Sequence, residues 1–510
     1  MLFNSSQFII YFFLPVFFLF LFSVKFSQKL KVILVSVSSL YFYSQWYEPY
    51  FFLLFSSILI NYLICVMFSK RKISQYVFLF LGITFNIGLL CFFKYSIFIA
   101  ENIALIRGIN LNQEAWFMKI VLPLGISFYS FQQISFLIDT YNLKINLPTF
   151  SRYLLYVTFF PQLIAGPIVR WKDFNKQITS AFNKTINLQF LVSGVFLFTL
   201  GLCKKTLIAD PIAFYFADPV FSLASEGQRI STFSAWVGTI AFTFQIYFDF
   251  SGYTDMALGL AYLFGIKLPV NFDSPYKATS IIDFWRRWHI TLSNFLKDYL
   301  YIPLGGNKKG LSNQFFAIMA TMLIGGLWHG ASWTFIFWGF LHGFFLIINH
   351  LYRFIKIKSS MLNTSNFIYW IFTFFAVSTS WVFFRSPSFE SASLIIKSMF
   401  AIDGLILPSS LYVLLNGFVG EKLIGFLNIT FSGSPPFDIV SSIAFLGLTF
   451  IILILFPQSQ ELTKKLNLLF KSEIKDNFMK ISFIGILIGL MVVYTTLRTD
   501  NPQEFIYFNF

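Results

Sequence analysis

Apolar runs about as long as a bilayer's hydrocarbon is thick, ~20 residues of helix, recur along this whole chain. The clearest are Phe8–Val24, Tyr50–Phe68, Tyr76–Phe93, Phe367–Phe384, Ile439–Phe456 and Ile481–Leu497. In hydrocarbon no water bonds to the backbone, so each such run must close its own hydrogen bonds as a helix. Counting the interrupted runs between them, the pattern predicts an all-α, polytopic membrane protein of roughly ten to twelve spanning helices. Only 12% of residues are charged and 57% are hydrophobic, about half the charge of a soluble domain. No basic residue precedes the first run and no small-residue cleavage site follows it. It is expected to stay as a membrane helix and not to be removed as a signal peptide.

The formal charge of +15 raises the question of nucleic acid, and the distribution answers it. Lys and Arg lie in short loops between apolar runs, as positive-inside topology requires, and form no basic domain, so no nucleic-acid partner is expected. Lys25, Lys29 and Lys31 follow the first run, and Lys70, Arg71 and Lys72 follow a later one. That alternation predicts an outside N-terminus with these loops in the cytoplasm, together with the basic stretch Lys277–Lys309. Cys65, Cys91 and Cys203 stand singly, with no CxxC pair, and predict neither a disulfide framework nor a zinc site.

No internal repeat or soluble segment divides the chain, so a single membrane domain over 1–510 is expected. Some segments refuse a simple span. Leu154–Val169 carries Pro161 and Gly166-Pro167, and basic or cytoplasmic residues flank both its ends, which predicts a re-entrant segment with its broken backbone buried in protein. Asp249, Gly252 and Asp255 raise the same possibility for Ser251–Val270. Ile281–Leu300, with Asp283, Arg286, Arg287, His289, Lys297 and Asp298, reads as an amphipathic, tryptophan-bearing interfacial helix. The turn Gly305-Gly-Asn-Lys-Lys-Gly310 follows, then the apolar stretch Phe315–Asn349, broken by Gly325-Gly326. The expected picture is a helical rim around a thin, broken centre.

All four histidines lie between His289 and His350. An ionisable group at membrane depth is a functional candidate by default, and histidine is the side chain that handles protons near neutral pH. Two sit in tryptophan-rich phrases, Trp285-Arg-Arg-Trp-His289 and Gly325-Gly-Leu-Trp-His329-Gly330. His329 and Trp328 belong to a segment without charge from Leu311 to Ile348, where desolvation favours a neutral imidazole able to take a proton from a hydroxyl. The residues alone leave open whether His329 does this or ties helices together through a carbonyl. His289, three residues after Arg286, is expected to share its helix face, and an interfacial aromatic-belt role stays open for it. His342 and His350 read as structural. No HExxH or close His pair occurs, and on one continuous helix His329 and His342 would be too far apart to share a metal. Asn307 and Lys308 in the glycine turn are candidates to meet donor phosphates, although an ordinary basic turn explains them as well. Asp249 is a candidate to orient an imidazole, with helix packing as the alternative.

Taken together the phrases resemble a known family. They are Leu122-Pro-Leu-Gly-Ile-Ser-Phe-Tyr129, Phe160-Pro-Gln-Leu-Ile-Ala-Gly-Pro167, Phe248-Asp-Phe-Ser-Gly-Tyr-Thr-Asp255, Asp283-Phe-Trp-Arg-Arg-Trp-His289, Asp298-Tyr-Leu-Tyr-Ile-Pro-Leu-Gly-Gly306, Trp328-His-Gly-Ala-Ser-Trp333 and Trp381-Val-Phe-Phe-Arg385. In this order they are similar to the membrane-bound O-acyltransferase family, in particular the bacterial branch that O-acetylates peptidoglycan, alginate and other polysaccharides, with a motif-bearing core over about 120–385. The resemblance implies a many-helix bowl with a thin centre, His329 as principal base and His289 as a second catalytic residue. Trp328, Arg286, Asp283, Asp249, Asn307 and Lys308 become candidates for the substrate path. It also implies acetyl-CoA or another cytoplasmic acetyl thioester as donor, with no tightly bound cofactor or metal, and a polysaccharide hydroxyl outside a bacterial inner membrane as acceptor. The resemblance also implies a separate extracytoplasmic acetyltransferase, with which relatives often work; this chain, running out in Asn501–Phe510, is expected to need such a partner. Acyl transfer from a carrier protein, as in the related D-alanyl transferases, is one alternative. A transporter of acyl groups or lipid, and a non-catalytic scaffold, are others.

Overall fold

The computed structural model describes residues 1–23, 26–70, 75–109, 116–143, 145–183, 187–358, 365–402, 404–412, 429–431, 435–469, 475–497 and 504–509. Lys25, Arg71 and Lys72 of the expected cytoplasmic loops, and Asn501 near the end, lie outside the described residues. The apolar runs are helices: Glu48–Lys70, Gln75–Leu90, Asn366–Arg385, Ile439–Leu455 and Lys475–Leu497 each match one of them to within a few residues, and the first run forms a helix over Gln7–Phe22. Among the described residues the only strands are Ile406–Leu407 and Thr430–Phe431, paired in parallel. Six described helices are long and apolar enough to cross a membrane, or seven when the bent pair Ile439–Leu455 and Ser459–Leu468 counts as one span. The larger number expected from the sequence also counted interrupted runs, which fold as shorter or broken helices.

Two compact units share the chain and interleave in sequence. One comprises Met1–Leu202, Gly252–Asn271 and Ser459–Asn509, the other Cys203–Ser251 and Phe272–Gln458. In the first, buried amides join apolar helices. Asn86 Nδ2 donates to Asn61 Oδ1 (2.8 Å) and Asn61 Nδ2 returns a bond to Asn86 Oδ1 (3.4 Å). Leu154–Val169 is indeed broken: helix Phe150–Thr158 stops at Phe159, a turn of helix follows over Phe160–Leu163, and the backbone from Phe159 to Val169 is buried throughout.

Ser251–Val270 departs from expectation. Its first part belongs to one unbroken helix, Thr232–Leu263. The carboxylates that suggested an interruption are satisfied within the helical frame. Asp255 accepts from Ser459 Oγ (2.5 Å), and Asp249 pairs with Lys205 Nζ (2.9 Å), which also holds Asp210 (2.8 Å). Paired charges permit burial that isolated ones forbid.

In the second unit Leu311–His329 and Trp333–Lys358 form a helical hairpin around a three-residue turn. Gly326 and Gly339 let its backbones touch: a Cβ on Gly326 would collide with the carbonyl oxygen of Phe335, and one on Gly339 with that of Met322. Small residues at such crossings are the usual basis of close helix packing in membranes. We expect Gly326→Ala to lower thermal stability by roughly 1–3 kcal/mol. Gly447→Ala, whose Cβ meets nothing, should leave the melting temperature in detergent unchanged.

Candidate functional site

Both tryptophan-flanked histidines stand at helix ends. Helix Ile281–Arg287 begins at Ser280, whose hydroxyl accepts the Asp283 N–H (3.1 Å), and ends as Trp288 leaves the helix. His289 then turns left-handed, with φ 42° and ψ 53°, before helix Ile290–Leu296 and a π-helical turn over Lys297–Tyr301. A non-glycine residue held there costs on the order of 1–3 kcal/mol and is commonest at functional sites. The single amphipathic helix expected over Ile281–Leu300 is therefore two helices and a turn. Arg286 is exposed and His289 fully buried, so they do not share a face. Neighbouring residues on a helix point ~100° apart; the break lets both Trp288 and His289 turn inward.

Around His289 lie rings. Phe250 meets it edge-on at 4.8 Å between centroids, Trp328 stands at 6.0 Å and Phe272 at 6.4 Å. Burial pushes the His289 pKa down to about 3, so this imidazole is neutral throughout the physiological range.

His329 is the last residue of Leu311–His329 and is buried. Trp328 (4.9 Å), Trp338 (5.1 Å, interplanar 90°) and Phe384 (5.2 Å) box its ring. Trp328 thus contacts both histidines. His342 lies across the hairpin turn from His329, not further along one helix, and touches the same Trp338 at 4.6 Å. Its hydrogen bonds determine its tautomer. Trp285 Nε1–H can only donate, so His342 Nδ1 accepts (3.2 Å). Ser380 Oγ donates to the Val377 carbonyl (2.7 Å) and accepts from His342 Nε2 (2.9 Å). Both ring nitrogens are occupied, a structural arrangement.

The remaining candidates scatter. Asp283 is taken up by Arg287 Nε, 3.0 Å from each carboxylate oxygen. Asp249 sits in the Lys205 ion pair. Asn307 and Lys308 are exposed in the glycine turn. Arg286 lines a cavity of about 390 Å³ with Trp285, Ile290, Lys297, Tyr301 and His350. Among the described residues no group of three or more His, Cys, Asp or Glu is arranged to hold a metal.

Residues 68–384 match the model of the membrane-bound O-acyltransferase family, MBOAT. The chain belongs to this family. A "Peptidoglycan O-acetyltransferase" of Helicobacter pylori is 40% identical over 435 residues, 79% of this chain and 81% of the relative. A "Probable alginate O-acetylase AlgI" of Pseudomonas putida is 38% identical over 451 residues, 86% and 88% of the two chains. A "Teichoic acid D-alanyltransferase" of Streptococcus thermophilus is 31% identical, but over only 44% of this chain and 56% of its own.

This MBOAT protein is an O-acyltransferase and a multi-pass membrane protein. Sequence reasoning did not single out the rings around the two histidines: Phe250 and Phe384 fall inside the family-like phrases, but in a chain that is 21% aromatic nothing told them, Phe272 or Trp338 apart from other rings. Lys205 was also missed, although a lysine inside the apolar span Leu188–Ser225 was a readable signal. The buried state of His289 has a consequence for pH. Its folded pKa lies below the unfolded value of 6.5, so the unfolded chain binds the proton more tightly and acid favours unfolding. The stability is intact above pH ~6.5 and is lost as pH falls towards 3, on the order of a few kcal/mol at the limit. Thermal unfolding at pH 7 and pH 4.5 should show a larger acid loss in the native protein than in His289→Gln. Equal losses would assign the acid sensitivity to other groups.

Proposed function

We propose that this enzyme moves an acetyl group from a cytoplasmic thioester, acetyl-CoA or a carrier-bound equivalent, for O-acetylation of an extracytoplasmic polysaccharide at a bacterial inner membrane. The observation carrying this reading is the His329 imidazole, buried among Trp328, Trp338 and Phe384 at the end of its helix. The relatives that match most of the chain, a peptidoglycan O-acetyltransferase and a probable alginate O-acetylase, support the acceptor class. D-alanyl transfer from a carrier protein is less favoured, because that relative matches under half of the chain.

In this mechanism an acceptor hydroxyl gives its proton to His329 as its oxygen attacks the thioester carbonyl. The new C–O bond forms, the C–S bond breaks, and the proton passes from the imidazolium to the departing thiolate. His289, also neutral, stands beyond Trp328 to orient the reactants. The aromatic walls exclude water that would hydrolyse the thioester. The cavity beside Arg286 and Lys297 offers positive charge to a phosphate-bearing donor, and an extracytoplasmic acetyltransferase partner completes delivery to polymer.

A positioned base contributes ~10²–10⁴ in rate. His329→Ala should therefore lose at least two orders of magnitude of acetyl transfer from isotope-labelled acetyl thioester, in membranes supplied with peptidoglycan or alginate, at unchanged membrane yield. Native rates in that variant would refute the assignment. Which polymer gains label identifies the acceptor.

A further inference from the structure

In the first unit a cavity of about 740 Å³ opens between the start of helix Gln28–Ser44, the segment leading into helix Phe150–Thr158, and the first turn of helix Trp171–Asn183. Its volume is that of an ordinary small-molecule site, typically ~300–1,000 Å³. Two of its lining residues are cations, Lys29 and Arg152, and none is a carboxylate.

Arg152 is half-buried and, among the described residues, its hydrogen-bond acceptors are neutral oxygens. Its guanidinium donates to Asn175 Oδ1 (3.4 Å), Gln28 Oε1 (3.3 Å) and Thr179 Oγ1 (3.5 Å). Gln28 is itself oriented for this, because its Nε2 donates to the Ile178 carbonyl (3.3 Å). Among the described residues no ion pair joins Arg152 to an acid. A guanidinium carries five N–H donors in a rigid fork, so part of the fork remains available to the cavity. The arrangement places Arg152 without neutralising it. Arg152 is partly shielded from water and Lys29 is exposed, so an arriving anion meets two positive charges without a large desolvation cost.

The rest of the lining suits an oxyanion. Thr149 and Ser151 present hydroxyls 3.3 Å apart. Trp171 forms a buried, rigid wall, packed edge-on against Phe136 (5.6 Å) and Tyr156 (5.4 Å). The helix entered at Phe150 has no side-chain cap from Thr149, which adds partial positive charge at the same rim. Lys29 and Arg152 also belong to segments that the distribution of basic residues assigns to the cytoplasmic face, where anionic lipid headgroups lie.

We propose that this cavity is a binding site for a phosphate group, held by the guanidinium of Arg152 and the ammonium of Lys29. Arg forks engage phosphate through two parallel N–H···O bonds, and Lys supplies a point charge. The phosphate belongs either to an anionic lipid headgroup or to a soluble nucleotide. The inference does not rest on the histidine chemistry, and it is tested by binding, so acyl-transfer activity has no bearing on the outcome.

The full-length protein in nanodiscs serves for both sources. Native mass spectrometry with phosphatidylglycerol against phosphatidylcholine measures lipid retention, and a thermal-shift titration with adenosine 3′,5′-bisphosphate measures the soluble arm. The double variant Lys29→Gln/Arg152→Gln should lose roughly tenfold in affinity for one of the two probes, as expected for removing charge-assisted hydrogen bonds. Arg152→Lys, which keeps the charge without the fork, should retain part of the binding and controls for folding, together with unchanged melting temperatures without ligand. A loss confined to phosphatidylglycerol assigns a lipid site, and one confined to the bisphosphate a nucleotide site. If neither probe binds the native protein, or the double variant binds both as well as the native protein does, the proposal is overturned.

Discussion

Hydrocarbon offers a peptide group nothing to bond to, and an unsatisfied N–H or C=O there costs several kcal/mol. That penalty governs where this chain leaves the helix. Two of its breaks, after Thr158 and at Trp288–His289, lie among largely buried residues, and there side-chain and backbone groups from elsewhere take over bonds that the helical ladder gives up. At the interruption after Thr158 the N–H of Phe160 donates to Ser39 Oγ (3.1 Å), Gln162 Nε2 donates to the Tyr156 carbonyl (2.6 Å), and Tyr156 Oη donates to the Val169 carbonyl (2.8 Å). At the second interruption the Asp273 N–H donates to the Arg287 carbonyl (2.9 Å), and Ser293 Oγ to that of Trp285 (2.9 Å). Irregular backbone at this depth needs such a surrounding, and the surrounding is what can also house chemistry.

The second interruption is where His289 sits, and its backbone is strained. The strain is offset by what it accomplishes: consecutive large rings, Trp288 and His289, both point inward, one towards Trp381 (5.1 Å) and the other towards Phe250 (4.8 Å). His329 arrives from a different element, at the end of a helix whose partner lies in backbone contact through Gly326 and Gly339. Two imidazoles on separate elements are thereby brought to one shared ring, Trp328, and both are buried. His342 contrasts with both, since its two nitrogens are already engaged by Trp285 and Ser380.

Much of the helical architecture is legible in the sequence. Apolar length located the helices to within a few residues, because satisfying the backbone in lipid leaves little choice of structure; Tyr50–Phe68 lies wholly inside Glu48–Lys70. Proline and the Gly-Pro pair marked the broken segment at Leu154–Val169. His289 and His329 stand out in the sequence as candidates by their tryptophan-rich surroundings and by family resemblance, and the structure adds that both are buried among rings. Less could be read where tertiary pairing overrides local pattern. Asp249 and Asp255 looked like interruptions because their partners, Lys205 and Ser459, lie tens to hundreds of residues away. The left-handed turn at His289 leaves no periodic trace, since one residue suffices to redirect two helices. The same turn separates Arg286 from His289, which spacing alone had put on one face.

The reciprocal amides Asn61 and Asn86 carry a consequence for how such a protein can evolve. Each side chain is both giver and receiver, and each is also tied to its own helix, at Ser57 and Gly82. Replacing either one strands the other's carbonyl and one of its two amide hydrogens in an apolar seam, while the bond to its own helix remains, whereas a matched exchange of both for well-fitting apolar groups removes the demand altogether. A single replacement at either site should therefore cost stability that a matched replacement of both recovers, which ties the fate of one position to that of the other.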